Sequence, residues 1–527
     1  MEKWQRAVAR NSVRVVEDLK RGLNARHTAF IAISSGVGTG LFLGSATALS
    51  NAGPLGLLLG YAFMSLITWI IALISAETAG FLPVSGGFIR HVPMFTNTAL
   101  GTTCGYVFTY LLAITAPAEV TAATSLISFW RPDLSPAIFI TVFGLLIVLV
   151  NLGPVRLFGE SEFFFGAIKS IAIIGLIIAG LVVDVGGNPA KDYIGGRNWA
   201  IPMREYLVSG GTGRFLGFWS TLTNAAFALG NIQIATSAAS EVQNPRVNVP
   251  KAMRRVFWRL FFFYIMSLLM VGLILPADDP RIGTASGTAG SPFVLAFSSV
   301  GIKVLPSIIN AVVITSAFSS GNGVLFLASR TLLGLSAQNK APKIFLRTNR
   351  FGCPYVAVGF CSLLMPLAYL VLGNSTSNQV FNWLVNIIAV SGLMMWCAIC
   401  VGYLRFYYGL RARGISRDEL PYKSPFQPYA AWFAGIVCFL VVFFSGFSVF
   451  FPGNFSAANF LSNYISVFIF IAIYIVTSCI SGWKFKSYDE MDFSEMDAIR
   501  EERAWNEANP KLKMSWYRSL IEKVTDE

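Results

Sequence analysis

Residues 30–50 read Phe-Ile-Ala-Ile-Ser-Ser-Gly-Val-Gly-Thr-Gly-Leu-Phe-Leu-Gly-Ser-Ala-Thr-Ala-Leu-Ser. This run is long and apolar enough to cross a bilayer as a helix. Yet Gly36, Gly38, Gly40 and Gly44 stand in its middle, where glycine weakens a helix. A membrane span keeps such a weak point where the freed backbone groups find partners in protein, water or a ligand. Close helix packing through small residues is the competing explanation. It fits less well, because glycines at alternate positions do not follow one helix face. The pattern predicts a broken helix that offers N–H and C=O groups at mid-membrane depth.

The surrounding chain supports a membrane setting. It has 527 residues, 54% hydrophobic and 13% charged, against about 25% charged in ordinary soluble domains. From His27 to Ala76 there is no Asp, Glu, Lys or Arg. Strand alternation of the barrel type is absent, so the fold class is an all-α polytopic membrane protein. Twelve apolar segments are predicted, near 28–50, 54–80, 100–129, 135–151, 161–183, 215–239, 255–276, 303–334, 354–373, 380–404, 429–451 and 462–482. Residues 1–27 are polar and basic without a short apolar core, and are not expected to be a cleavable signal.

The formal charge of +13 raises the question of a nucleic-acid partner, and its distribution answers it. With the N-terminus in the cytosol, 32 of the 40 Lys and Arg fall on the cytosolic side of the twelve segments. This is the positive-inside bias, and it predicts that both termini are cytosolic. A basic inner face meets the anionic lipid of the bilayer, and no nucleic acid is called for. The seven cysteines are scattered, most of them within apolar segments. Cys397-Ala-Ile-Cys400 has no second pair and no nearby His, so it reads as helix packing rather than as a metal or disulfide site.

The first five segments and the next five are candidates for two structural copies, which makes segments 1 and 6 equivalent. Segment 6 carries Ala228-Leu229-Gly230-Asn231 near its centre, and Gly with Asn weakens a helix in apolar surroundings. Matching interruptions in two halves are the best sequence pointer to a transport site. After segment 6, Asn244-Pro245 is expected to stop one helix and Pro250 to sit in the first turn of the next. The tail from Trp483 mixes acids and bases and reads as a solvated cytosolic segment.

Several ordered motifs then come together. They are Gly36-Val-Gly38-Thr-Gly40-Leu, Asn51-Ala-Gly53-Pro54, Glu77 with Pro83-Val-Ser85-Gly86-Gly87-Phe88, and Tyr193-Ile-Gly195-Gly196. The Ser240–Ala252 loop with Phe257-Trp258-Arg259 follows, then Gly321-Asn322, Ser329-Arg330-Thr331, Phe381-Asn382-Trp383-Leu384 and Lys423-Ser424-Pro425. Over about residues 20–485 the chain resembles the yeast amino-acid transporter family, the fungal amino acid permeases of the amino acid–polyamine–organocation superfamily. The resemblance implies twelve transmembrane helices: a five-plus-five inverted repeat with broken helices 1 and 6, and two peripheral helices. It divides the chain into a cytosolic tail at 1–27, a ten-helix transport core at 28–404, a cytosolic loop at 405–428, helices 11 and 12 at 429–482, and a second cytosolic tail at 483–527. It further implies secondary active import of amino acids by alternating access, commonly driven by protons, with the plasma membrane as the usual location.

An amino-acid zwitterion presents an anion and a cation a few ångströms apart, and a broken helix supplies both complements. In relatives, the backbone at positions matching Gly38, Thr39 and Gly40 binds the carboxylate. The carbonyl matching Gly36 and those near Phe227 and Gly230 bind the amine. Phe227 matches a position where superfamily members place an aromatic lid. Segment 6 departs from the common Phe-x-Gly-x-Glu pattern: here it reads Leu229-Gly230-Asn231-Ile232-Gln233, so Gln233, an amide, stands where a carboxylate is usual. Gln233 then either keeps a hydrogen-bonding role or marks a different substrate range. Asn231 is taken with Gly230 as a binding candidate.

Ionisable groups within membrane spans are functional candidates by default. Lys169 lies in segment 5; in proton-coupled relatives a lysine here is thought to substitute for a sodium ion near helix 1. Snorkelling to the inner surface is its alternative. Glu119 lies mid-segment, as in many family members, and is a proton-site or amine-facing candidate; a structural carboxyl bonded to Thr or Ser is the other reading. Glu77, nearer the cytosolic end, suits a gate or capping contact. Asn322 faces either the pocket or a neighbouring helix.

Two other functions remain open on sequence. The same fold can carry a polyamine or choline-like cation, and family sensors bind nutrients without transporting them, usually with a longer cytosolic extension than residues 1–27. An enzyme is not expected, since no nucleophile–base arrangement, metal cluster or phosphate loop stands out in the polar loops. No cofactor is implied, and any cytosolic partners of the tails are left open, as is the preferred substrate side chain.

Overall fold

The computed structural model describes residues 38–84, 86–230, 232, 245–282, 291–373 and 377–508. A π-helical turn, Gly40–Gly44, leads into α1, Ser45–Phe81. These form one run by hydrogen bonding but two rods in space. Gly53 sits at φ 75°, ψ 176° in its middle. The Tyr61 hydroxyl donates to the Gly40 carbonyl at 3.5 Å, whereas a straight helix would separate those residues by roughly 30 Å. The chain therefore doubles back at Gly53, where a left-handed φ suits glycine. The hairpin tip is held by Arg204 N–H to Ala52 O (3.0 Å) and Leu55 N–H to Pro202 O (2.9 Å). A Cβ at Gly53 would lie 2.9 Å from Pro202 O.

After α2 (Phe88–Phe95) comes α3 (Thr98–Ile127), whose N-terminus is capped by the Asn97 side chain on Leu100 N–H at 2.9 Å. Then follow α4 (Pro136–Leu152), capped by Ser135 with Pro136 in its first turn, α5 (Val155–Asp184) and α6 (Gly210–Leu229). Next are α7 (Pro245–Ile274), α8 (Pro292–Ser299), α9 (Leu305–Ala337) and α10 (Tyr355–Ser362), which a tighter turn, Met365–Leu372, extends. The last are α11 (Ser377–Ala412), α12 (Tyr429–Phe443), α13 (Ala457–Ser481) and α14 (Glu495–Ala508).

Among the described residues, seven helical runs are long and apolar enough to span a membrane, and three shorter apolar helices, Pro136–Leu152, Phe261–Ile274 and Tyr429–Phe443, add to them. Several helices match predicted segments closely, such as Leu305–Ala337 and Tyr355–Leu372, whereas α7 begins ten residues before its segment and α11 runs eight residues past its own. α3 is the central pillar, packed against α9, α11, α13 and α2. Outer helices turn large apolar side chains outward, such as Ile171 and Ile178 on α5 and Phe468, Ile475 and Ile480 on α13. Water would penalise such surfaces; lipid does not.

Two expectations shift. Pro250 was expected in the first turn of α7, but the helix starts at Pro245 and carries Pro250 inside it. Pro245 takes the tolerated first position instead. The Pro250 ring and the Arg246 carbonyl pack on Gly80, 3.7 and 3.6 Å from where its Cβ would be. The tail from Trp483 is not simply solvated over its described part. Met491, Phe493, Met496 and Ile499 are buried, and the Phe493 ring meets those of Phe81, Phe95 and Phe406 at 6.0, 5.9 and 6.2 Å. Arg246 pairs with both Glu495 and Glu502 at 2.7 Å, and Arg500 with Glu419 at 2.7 Å. Arg500 holds the exposed Glu419 carboxyl below its ordinary range, so this contact is present near neutrality and is lost as pH falls through that lowered value.

The same end of the bundle contains a buried ion pair. Glu77, near the end of α1, is fully buried and takes a two-pronged contact from Arg417 at 2.9 and 2.8 Å. Tyr403 Oη donates to it at 2.8 Å, Ser424 N–H at 2.9 Å, and the Ser424 hydroxyl also donates. This one carboxylate fastens the 405–428 loop to α1. Removing one member of a buried pair strands the other and costs about 3–5 kcal/mol. Glu77→Ala is expected to lower the thermal midpoint of the purified protein clearly, while Asp418→Ala, which removes an exposed partner of Lys423, leaves it nearly unchanged. Equal midpoints for the two variants would refute the fastening role.

Candidate functional site

α6 stops at Leu229, and Gly230 is extended there at φ −55°, ψ 171°. The cause is local: glycine next to Asn231 gives the helix little reason to continue. On the other side, the described part of the first segment opens with a bend at Gly38 and the π-helical turn from Gly40. Such turns interrupt regular pairing. The two irregular points touch. A Cβ placed on Gly40 would lie 2.6 Å from Ala228 Cα and 3.1 Å from a Phe227 ring carbon. Only glycine lets the two backbones approach this closely.

Two tyrosines flank this contact, one on each side. Tyr61 donates to Gly40 O (3.5 Å) and Tyr264 donates to Ala228 O (2.7 Å). Their rings lie 6.4 Å apart and nearly parallel. Both are fully buried. Sequence reasoning passed over them, because an aromatic residue in an apolar helix carries no signal of which carbonyl its hydroxyl will meet.

Beside Gly38 lies the Glu119 carboxyl. Its Oε1 accepts from Ser320 Oγ at 2.8 Å and lies 3.4 Å from where a Gly38 Cβ would be. Glu119 is 2% exposed and Thr39 fully buried. The Thr39 hydroxyl is a further side-chain partner of the Glu119 carboxyl. Lys169, 1% exposed, interacts electrostatically with both Glu162 and Glu119. Glu162 also accepts from Ser319 Oγ at 3.1 and 3.0 Å. The order is thus carboxyl, ammonium, carboxyl, running from the Gly38 bend into the seam between α5 and α9. Glu162 was missed, although a signal existed: it stands seven residues before Lys169, two turns away on the same helix face.

A small cavity lies beside the end of α6. It has a volume of about 10 Å³ and is lined by Leu111 of α3, Ala226, Phe227 and Gly230, and Ile388, Gly392, Leu393 and Trp396 of α11. That is room for the centre of about one water molecule. Phe227 lies across it, edge-to-face with Phe381 at 6.2 Å. Among the described residues, no charged side chain lines it.

The structure therefore gathers Gly38, Thr39, Gly40, Phe227, Gly230, Glu119 and Lys169 around one locus. Asn322 is turned elsewhere. It is fully buried, and its Oδ1 accepts from Asn151 of α4 at 2.8 Å, so its amide is spent at least partly on a helix–helix contact. Gly36, Asn231 and Gln233 lie outside the described residues.

Helix ends meeting inside a bundle of membrane-length apolar helices, with buried ionisable groups beside them, define a polytopic membrane protein with a polar site in its interior. The comparisons give the family. The family model "Amino acid permease" matches residues 27–489, and the chain belongs to this amino acid permease family of membrane transporters. A proline-specific permease of Emericella nidulans is 39% identical, over 93% of this chain and 92% of that protein. A lysine-specific permease of Saccharomyces cerevisiae is 37% identical, over 94% of this chain and 81% of that protein. A dicarboxylic amino acid permease of the same yeast is 35% identical, over 86% of this chain and 76% of that protein. A solved manganese transporter of Eremococcus coleocola superposes with a TM-score of 0.52 over 90% of this chain and 94% of that one, at 16% identity. That likeness concerns the fold alone.

The contact at Gly40 yields a test by substitution. A methyl at Gly40 meets the Ala228 backbone at 2.6 Å, whereas at Gly38 it meets only side-chain oxygens at 3.4 and 3.5 Å. Gly40→Ala is expected to reduce transport at least tenfold and to lower thermal stability. Gly38→Ala is expected to keep stability within a degree or two. Gly38→Val, which is larger, is expected to abolish uptake while leaving membrane expression. A fully active Gly40→Ala variant would show that the two breaks do not need this approach.

Proposed function

We propose that the chain is a secondary active transporter that imports amino acids by proton symport with alternating access. The observation that carries this reading is the meeting of the Gly38–Gly44 turn with the end of α6 at Gly40 and Ala228. A helix N-terminus presents N–H groups to an anion, and a helix C-terminus presents carbonyls to a cation. One locus with both is complementary to a zwitterion. An amine without a carboxylate would leave the N–H side unused.

In this reading the backbone of Gly38, Thr39 and Gly40 holds the substrate carboxylate. The carbonyls of Phe227 and Gly230, with that of Gly36, hold the amine. Phe227 is the lid, and Asn231 and Gln233 complete the polar surroundings. Lys169 and Glu119 couple the proton. Glu119 is suited to this because its carboxyl is buried beside Gly38, anchored on Ser320 and with the Thr39 hydroxyl as a further partner. Lys169 lies in the field of two carboxyls, so a proton moved at Glu119 changes what Lys169 feels. That links proton occupancy to the geometry beside Gly38.

The architecture that goes with this is twelve spans. The hairpin at Gly53 divides the first long run in two, and α6 adds a half-span that ends at the site. A core at 28–404 in two inverted halves, peripheral helices at 429–482, and cytosolic segments at 1–27, 405–428 and 483–527 complete it. The loops grouped with the tail at one end carry the basic excess, which orients both termini to the cytosol; the plasma membrane is the proposed location. The relatives' names point to proline, lysine and dicarboxylic amino acids at similar identity, so names alone do not choose a side chain.

Reconstituted protein in liposomes tests the mechanism. With a one-unit pH gradient, acid outside, one proton per substrate supports about tenfold accumulation. The expected result is accumulation of a labelled α-amino acid that collapses with an uncoupler. Lys169→Met and Glu119→Gln are expected to lose the pH dependence while retaining exchange of labelled for unlabelled substrate. Unchanged proton-driven accumulation in Lys169→Met would remove it from the coupling role. Specific binding without any net uptake would favour a non-transporting sensor.

A further inference from the structure

The cavity beside Gly230 carries information on which side chains the site accepts, an inference that rests on the amino-acid reading above. If the backbone around Phe227 and Gly230 holds the α-amine, the substrate side chain must leave along a wall next to those residues. The wall that the structure provides is Leu111, Ile388, Leu393 and Trp396, with Phe227 across it. All of these belong to helices packed around the end of α6.

Among the described residues, no charged side chain lines this wall. Three buried charged groups nearby are engaged away from the cavity lining: Glu119 with Ser320, Glu162 with Ser319, and Lys169 with the two carboxyls. Along α3, Glu119 is displaced from Leu111 by about 12 Å of helix axis. In sequence, residues 28–37 and 231–240, which flank Gly38 and Gly230, contain no Asp, Glu, Lys or Arg. A charged substrate side chain placed here would lose its water with no counter-charge in return.

Size is set by Gly392. A Cβ at this position would meet only Leu111 Cδ1, at 3.7 Å, which is ordinary van der Waals contact. The protein itself can accept a methyl there. What the methyl removes is the space between α11 and α3 into which a substrate side chain would expand as the cavity opens.

We propose that the transported amino acids carry uncharged, mainly apolar side chains, selected by Leu111, Ile388, Leu393 and Trp396, with the absence of a side chain at Gly392 setting the upper size. Lysine, arginine, aspartate and glutamate are then poor substrates, whatever the related permeases carry.

The full chain in proteoliposomes decides this through competition and one variant. Alanine, leucine and phenylalanine are expected to compete with a labelled apolar substrate at least 100-fold more effectively than lysine or glutamate. Gly392→Ala is expected to lower leucine and phenylalanine uptake at least tenfold more than it lowers alanine uptake. A thermal-shift measurement on the same protein, with leucine against lysine as ligand, gives the same ranking without transport. Lysine or glutamate competing as well as leucine overturns the proposal and leaves the amino-acid reading standing. Equal loss of alanine and phenylalanine uptake in Gly392→Ala removes the size role of that position. Failure of folded protein to bind or transport any standard amino acid overturns the amino-acid reading, and this proposal with it.

Discussion

Everything at the centre of this protein follows from the approach of two backbones, at Gly40 and Ala228. Helices normally keep their backbones apart by the width of their side chains. Here one partner is a glycine, and the other lies one residue before the end of a helix. The closeness brings two irregular segments to one point in a setting where unsatisfied backbone groups are expensive. Tyr61 and Tyr264 meet part of that demand by donating to Gly40 O and Ala228 O. They also fix the helices that carry them to the locus, so the break is held from two sides rather than left loose.

Around this point the polar and apolar work is divided. Toward α5 and α9 lie Glu119, Lys169 and Glu162, each buried and each engaged with a hydroxyl or an opposite charge. Toward α11 lies a wall without charge. Separation matters because a charge that faced the cavity would dominate selection by itself. With these charges engaged beside Gly38, the described lining of the cavity is left to apolar packing.

The basic loops are drawn together at one end of the bundle by a few strong contacts. Glu77 ties the 405–428 loop to α1 through Arg417 and Ser424. Arg246, at the start of α7, binds α14 through Glu495 and Glu502, and Phe493 inserts among Phe81, Phe95 and Phe406. The described tail is therefore part of the packed structure, joined by ion pairs to the helix that follows the site.

Much of the site was legible before any coordinates. Glycines at alternate positions in an uncharged run, and Gly230 before Asn231, mark weak points because propensity acts locally and membrane spans tolerate few such residues. Lys169 and Glu119 stood out because charge is rare within apolar segments. Glu162 had a readable cue in its spacing from Lys169, but it lies near a helix start where charge is common. Leu111, Gly392 and Trp396 had none, since in a chain this apolar a site wall looks like any other packed surface. Likewise the tail's Phe493 gave no hint of its partners, which are 412, 398 and 87 residues away along the chain. The sequence by itself determined the class, the segments, the charge asymmetry and the helix breaks, all of which follow from composition and local propensity. Only the tertiary structure decided that the two breaks touch, which hydroxyls serve them, and which residues wall the cavity. Those depend on the relative placement of helices far apart in the chain, and nothing local encodes it.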